Sequence, residues 1–456
     1  MKRNSKKYFL LIVPFITSIY TKAQTTWTMA DPKNLDFTIS TTIIGNNITG
    51  KTRKDALHDY VGALKYKLIK MASPLKYPEI IHFEGTFDTK NPSIFKGVYY
   101  NLFSQNNCYG KITGDSIVIT LLNKLEKPIK VIKGYKNEYP KSENYEEIVL
   151  KIINLTEEHL FNPSFLKSKD WKNFKSRLIA SSGKMEDKLE LQTGFYAIAR
   201  DFPFTHYNLI ANRKEQENKT NFSLSSIDKS SCLLKIKSFE GDRLTIDTLI
   251  EKIENNQYST LIIDLRDNAG GSNETALPLM SYLSDKAVTG GVFPNKNWYK
   301  EHKTPPIIHD YDEFNEFNFG TLEEFYSMAK NRNGLYIRSL PGKSYFRGKV
   351  YILCNENTAS TSEVLIQGLR ENNIGQLVGK KTAGAALSGR RFHIDKDLSL
   401  FIPVNDYISH KGYKIDKHGI KPDIEVETDA LKYVLKKIDD ELTVQQNSRK
   451  ATISNN

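Results

Sequence analysis

An α/β core, preceded by a helical module and a small, mostly β domain, is the architecture this sequence predicts. Three observations carry it. Near-continuous apolar strands at Cys232–Lys237 (CLLKIK), Ser259–Asp264 (STLIID) and Lys349–Cys354 (KVYILC) alternate with helical stretches, the pattern of a sheet covered on both faces. Upstream of them, Tyr145–Arg200 repeats apolar residues at near-helical spacing. Before that, the chain from Gln24 to about Lys136 is rich in Thr, Tyr, Phe and Asn and breaks into short alternating segments.

Taken in order, residues 1–23 read as a secretory signal peptide. Lys2, Arg3, Lys6 and Lys7 precede the apolar run Tyr8–Tyr20, and Ala23 offers a small residue at the cut before Gln24. That run is short for a bilayer span, so we expect an exported protein with no integral membrane span after cleavage, in the periplasm, cell envelope or extracellular space. Residues 24–140 form an N-terminal α+β domain of unknown role. Its helix candidate is Lys54–Met71, and Gly114-Asp115 makes a turn or bend within Lys111–Thr120. Residues 141–215 form the helical module, with helices at Tyr145–Leu160, about Trp171–Ala180 and Met185–Arg200, closing on Asp201-Phe-Pro-Phe-Thr-His206. Residues 225–430 form the core. Within it, 293–346 is an aromatic-rich insertion that reads either as a substrate wall or as packing against its own domain. A helix at Ala430–Leu442 and a polar tail complete residues 430–456.

The formal charge of +12 falls to +7 once the five basic residues of the leader are removed. The remaining Lys and Arg are scattered, which favours solubility over nucleic-acid binding. Three cysteines, far apart, make no disulfide framework and no zinc knuckle, and nine histidines include no HExxH motif. We expect no cofactor and no metal.

Asn355-Glu-Asn-Thr-Ala-Ser-Thr-Ser-Glu363 sits between the strand Lys349–Cys354 and a helix at about Thr361–Arg370. A hydroxyl at such a turn faces backbone N–H groups, where a nucleophile can act and an oxyanion is stabilised. Ser360 with Glu363 is equally a capping box, which gives the serine a purely structural role. Asp264-Leu-Arg-Asp-Asn-Ala-Gly-Gly271 follows another buried strand, and its glycines let backbone N–H groups approach a ligand.

Together with Val378-Gly-Lys-Lys-Thr-Ala-Gly384 and Gly419-Ile-Lys-Pro-Asp423, these segments resemble the tail-specific, or C-terminal-processing, serine peptidase family. Its four motifs recur here in the same order, over about Tyr145–Glu427. The resemblance implies a crotonase-like (ClpP/crotonase) α/β peptidase core, with Ser360 as nucleophile. It also implies an oxyanion hole from the N–H of Thr361 and of one glycine in the Gly270-Gly271 pair. Processing peptidases pair the serine with a lysine, but that slot is Ala385 here, and we expect Lys380 and Lys381 to be solvated surface residues. The chain is more similar to the branch of the tricorn core and interphotoreceptor retinoid-binding protein, which uses Ser-His-acid. That likeness assigns His206 as base and Asp416 as acid, although Asp is one methylene shorter than the branch's Glu. His410 and His418 rank behind His206. Only 25 residues separate His206 from the Cys232 strand, so we expect no PDZ-type recognition domain.

Histidine can accept the serine proton near neutral pH and return it to the leaving amine, while a carboxylate fixes its tautomer. The expected function is therefore a secreted serine-type peptidase acting on polypeptide or peptide substrates through an acyl-enzyme on Ser360. A catalytically inactive relative that binds peptides or envelope partners in the same cleft is the alternative, suggested by Ala385 and Asp416.

Overall fold

The computed structural model describes residues 23–31, 35–72, 77–102, 104–137, 143–212 and 220–454. The leader expected over residues 1–23 lies outside them, apart from Ala23. Two compact units are present. One comprises the described residues up to Glu143 together with Lys184–Thr193, and the other Asn144–Gly183 together with the chain from Gly194 onward.

The first unit is a closed antiparallel barrel. Its strands are β1 (Ala23–Ala30), β2 (Phe37–Ile44), β3 (Asn47–Lys51), β4 (Ile81–Phe87), β5 (Ile94–Asn101), β6 (Gln105–Thr113), β7 (Ser116–Leu122) and β8 (Pro128–Lys136). Each pairs with the next, and β1 closes the ring by pairing with β8. The period-2 alternation sends Phe37, Ile39, Phe83, Phe95, Ile117 and Ile119 inward, so the interior is filled by side chains. Gly114-Asp115 forms the tight β6–β7 turn, as expected. A helix, α1 (Ala56–Ala72), interrupts the meander between β3 and β4 and is itself broken at Gly62, whose φ of 74° is not helical.

The second unit opens with α2 (Tyr145–His159) and α3 (Lys169–Ser182), and receives the end of α4 (Lys188–Ala199). Asn144 and Ser168 cap α2 and α3 through their side chains. The chain then passes through β9 (Asn208–Ala211), β10 (Phe222–Ser226), β11 (Ser231–Ile236), α5 (Arg243–Asn255), β12 (Thr260–Asp264) and α6 (Asn273–Tyr282). Next come β13 (Val288–Pro294), α7 (Lys296–Glu301), β14 (Asn315–Phe317), α8 (Leu322–Lys330) and β15 (Gly334–Ser339). The last elements are β16 (Lys349–Cys354), α9 (Thr361–Glu371), β17 (Gln376–Gly379), β18 (Ser388–His393), β19 (Leu398–Asn405), β20 (Ile424–Glu425) and α10 (Ala430–Ser454).

The central sheet has the order β10-β11-β12-β16-β17-β20. All neighbours are parallel except β10, which runs antiparallel at one edge. One face packs α6 and α9 through Leu279, Leu365 and Leu369. On the other, Val434 and Ile438 of α10 cover Ile262, Tyr351 and Leu353. Burial on both faces is what makes these strands apolar at every position. The last helix continues past the expected end at Leu442 to Ser454. All three cysteines are buried and unpaired. Among the described residues no helix is long and apolar enough to cross a membrane.

The aromatic insertion resolves in favour of packing. Strands β13, β15 and β14 form a small sheet whose Phe293 and Phe317, together with Phe325 of α8, enter the same core as α6 and α9. Trp298, Tyr311 and Phe314 form an adjoining cluster with Val292 and Ile408. Phe317 is 1% exposed, whereas Phe319, two residues on, is 55% exposed and lies under the Arg243 guanidinium.

Candidate active site

Parallel strands deliver their loops to one edge, and β12 and β16 are hydrogen-bonded neighbours. Their loops, 265–271 and 355–360, are consequently stitched together. Thr358 Oγ1 donates to Leu265 O at 2.8 Å, Ala359 N to Asn268 O at 2.9 Å, and Thr361 Oγ1 to Gly271 O at 2.6 Å. Asn355 Nδ2 and Asn357 Nδ2 both reach Asp267 Oδ1.

Ser360 stands at the N-terminus of α9 with φ 58° and ψ −124°, a conformation uncommon for a residue with a Cβ. Its side chain does not cap the helix. Its backbone N–H is held instead, by Ala385 O at 2.8 Å and by Glu363 Oε2 at 3.2 Å. Half of the expected capping box is thus present, and the hydroxyl is left out of it.

Glu363 is wholly buried, and its carboxylate also accepts Thr382 Oγ1 at 2.5 Å, Gly384 N at 2.8 Å and Ala385 N at 2.7 Å. Burial raises its pKa, and these hydrogen bonds oppose that shift. Thr382 in turn accepts Ile420 N at 2.7 Å. The four sequence motifs are therefore one hydrogen-bonded assembly around Ser360.

Gly270 lies directly against the serine: a Cβ built on it would come within 2.6 Å of Ser360 Cβ. Its N–H is already taken by Asn268 Oδ1 at 2.8 Å, which removes Gly270 as an oxyanion donor. Gly271 differs. In a parallel bridge with Phe239, the hydrogen bonds run from Phe239 N to Gly270 O and from Ser272 N to Phe239 O. The N–H and C=O of Gly271 itself consequently face away from Phe239, and that carbonyl holds Thr361 Oγ1. The N–H groups of Gly271 and Thr361 donate to no described residue.

His206 has a φ of 60° and follows the helical module on the short link into β9. Asp416 is 1% exposed, far from the solvated turn that its flanking sequence allows. Its Oδ1 accepts Thr205 Oγ1 at 2.5 Å and its Oδ2 accepts Thr205 N at 3.1 Å. Thr205 Oγ1 also lies 2.8 Å from His206 Nδ1. Asp416 thus reaches His206 through Thr205, a residue that sequence reading missed. The Thr205 hydroxyl spans the gap between the carboxylate and the ring.

Burial lifts the Asp416 carboxyl above its ordinary value, opposed by both bonds from Thr205. Burial also draws His206 down to about 4, so its imidazole is neutral at physiological pH. An ionised Asp416 only accepts, so Thr205 O–H must donate to it. Thr205 Oγ1 can then accept only from His206 Nδ1–H, which leaves the Nε2 lone pair free.

Asp416–His206 connects to the serine loop through the backbone. Lys417 N donates to Gly384 O at 2.8 Å, and the next residue, Ala385, holds Ser360 N. No hydrogen bond joins His206 to Ser360 directly. His418 Nδ1 is 2.9 Å from Asp416 O. Lys380 pairs with the exposed Glu427 at 3.7 Å, and Lys381 is exposed, in line with surface roles.

Residues 230–426 match the model of peptidase family S41. The chloroplastic carboxyl-terminal-processing peptidase 3 of Arabidopsis thaliana is 24% identical over 185 residues, covering 40% of this chain and 29% of that protein. The carboxyl-terminal-processing protease of Picosynechococcus is 31% identical over 106 residues, 23% of this chain and 26% of that one. Among solved structures, a lipoprotein from Streptococcus agalactiae aligns with a TM-score of 0.45 and 16% identity, over 67% of this chain and 99% of its own. The chain spans less than a third of the length of these curated relatives. Residues 230–426 thus match a peptidase family S41 domain and are similar in sequence to carboxyl-terminal-processing peptidases.

Proposed function

We propose that the chain is an exported serine-type peptidase that hydrolyses peptide bonds through an acyl-enzyme on Ser360. The observation that carries this reading is Ser360 itself: a strained residue at a helix N-terminus whose hydroxyl is spared from capping, beside two uncommitted backbone N–H groups.

In this reading His206 Nε2 takes the proton from Ser360 Oγ as the oxygen attacks the scissile carbonyl. The N–H groups of Gly271 and Thr361 hold the oxyanion, at the positive end of α9. His206 then gives the proton to the departing amine, and water activated by the same nitrogen hydrolyses the ester. Thr205 and Asp416 hold the tautomer and stabilise the imidazolium. The contact from His206 to Ser360 Oγ forms as substrate fills the cleft, since such bonds tighten in the Michaelis complex. The crotonase-like relationship of the core and delivery of the chain beyond the cytoplasm belong to the same proposal.

A fluorophosphonate probe, with casein as substrate, tests it. The probe should modify Ser360, as mapped by mass spectrometry, and Ser360→Ala should lose both labelling and turnover while keeping its fold. Undiminished casein hydrolysis by that variant rejects the nucleophile.

A further inference from the structure

The two faces of the sheet β18-β19-β9 meet different surroundings. On one, the His159 ring at the end of α2 stacks on Phe392 at 4.3 Å, and Lys151 Nζ of the same helix reaches Ile394 O at 2.5 Å. Leu209, Leu400 and Ile402 are buried on that side. The other face carries Phe401, which pairs with Arg391 on β18 and with Asn208 on β9. Directly opposed residues of antiparallel strands project to the same face, with Cβ atoms about 5 Å apart. Arg391, Phe401 and the start of β9 therefore share one surface.

That surface leads to the candidate base. The Phe401 ring centre is 5.7 Å from that of His206, and the ring lies across Gly389, where an added Cβ would come within 2.4 Å of it. Phe401 is partly buried and Arg391 is exposed. Arg391 makes no ion pair or side-chain hydrogen bond with any described residue. Its chain neighbour Arg390 points to the opposite face, with its guanidinium 5.8 Å from the Phe392 ring.

Resting on the peptidase reading, we propose that Arg391 is a specificity residue that receives a carboxylate of the peptide substrate beside the Phe401 platform. An uncommitted guanidinium recognises a carboxylate through paired N–H···O bonds, and the nearby ring supplies an apolar floor for the adjoining residue. The carboxylate belongs either to an Asp or Glu side chain or to the free C-terminus, both of which present the same two oxygens.

The test reads binding, so it needs no turnover. Full-length Ser360→Ala protein is titrated by fluorescence anisotropy with three labelled peptides: a C-terminally amidated neutral peptide, the same peptide with one internal Glu, and the neutral peptide with a free C-terminus. At least one carboxylate-bearing peptide should bind about fivefold tighter than the neutral one, the size of an exposed charge-assisted contact. Arg391→Ala in the same background should remove that preference, Arg391→Lys should keep part of it, and Arg390→Ala should leave it whole. A gain with the Glu peptide identifies a side-chain carboxylate, and a gain with the free C-terminus identifies the chain end. Equal binding of all three peptides, no binding by any, or equal losses from Arg390→Ala and Arg391→Ala overturns the assignment. Failure of the nucleophile reads out separately, as absent fluorophosphonate labelling of the wild type.

Discussion

Serine hydroxyls at helix starts normally accept the N2 or N3 amide, and a hydroxyl so engaged is a poor nucleophile. Here Glu363 and Ala385 hold the backbone of Ser360 instead, leaving its Oγ outside the cap. The same economy of donors explains Thr205, whose single proton serves Asp416 and so fixes the proton on His206 Nδ1. Thr205→Val should therefore lower kcat by on the order of 10²-fold, the scale of a general base that has lost its tautomer, with KM little changed. Thr205→Ser should restore most of the rate. Asp416→Asn should be at least as damaging, because both carboxylate oxygens accept from Thr205 and an amide can offer only one acceptor. Equal kcat in Thr205→Val and wild type, measured on one fluorogenic peptide, excludes the relay. The depressed pKa of His206 gives a second readout. Protonation removes the base, so kcat/KM should hold its plateau as pH falls through 6.5 and drop only near 4. An acid limb near 6.5 argues that another group serves as base. Lys380→Ala and Lys381→Ala should stay within a few-fold of wild type in the same assay, since both lysines lie at the surface.

At the level of elements, β12 and β16 with the helices that follow them were legible because a buried parallel strand leaves an unbroken apolar run. The motif loops were legible for a related reason: Asn268, Thr358, Glu363 and Thr382 each satisfy a buried backbone group, so their types are constrained. What stayed hidden depends on partners remote in sequence. Thr205 meets Asp416 across 211 positions, and nothing local to Thr205 distinguishes it from any threonine in a connecting loop. Gly270 and Gly271 look equivalent in sequence, and only the side chain of Asn268 decides which N–H is spent. The aromatic insertion shows the same limit, because composition cannot separate a groove from a core. The structure makes a sharp distinction there. Phe317→Ala should destabilise the second unit by about 3–5 kcal/mol, the cost of deleting a buried ring. Phe319→Ala should cost no more than about 0.5 kcal/mol, as for an ordinary surface change. Denaturant midpoints of the two single variants compare them directly, and equal midpoints contradict the packing of β14.

The whole molecule divides its apolar residues between separate cores, one filling the barrel and others lining the two faces of the central sheet. Closure of the barrel was not legible, because alternation marks strands but cannot say that the first pairs with the last. Nor could the sequence assign Lys184–Thr193 to the barrel unit. In that segment Asp187 Oδ1 accepts Glu190 N at 2.8 Å, and its Oδ2 accepts Thr38 N of β2 at 2.8 Å. Burial pushes the Asp187 pKa up to about 7 despite both backbone bonds, with Glu190 and Glu186 adding to the rise. A carboxyl whose folded pKa is raised binds its proton more tightly in the native state. Its contribution to stability is therefore complete below the unfolded value near 4 and is lost as pH rises through about 7. Separate cores predict two unfolding transitions in calorimetry of the full chain. Raising the pH from 5 to about 8 should lower the transition that Phe83→Ala identifies as the barrel's. Asp187→Asn, which cannot ionise, should flatten that pH dependence without moving the transition sensitive to Phe317→Ala. A barrel transition that rises over the same interval, or an unchanged slope in Asp187→Asn, shows that Asp187 is ionised in the native protein and that its backbone bonds outweigh its burial.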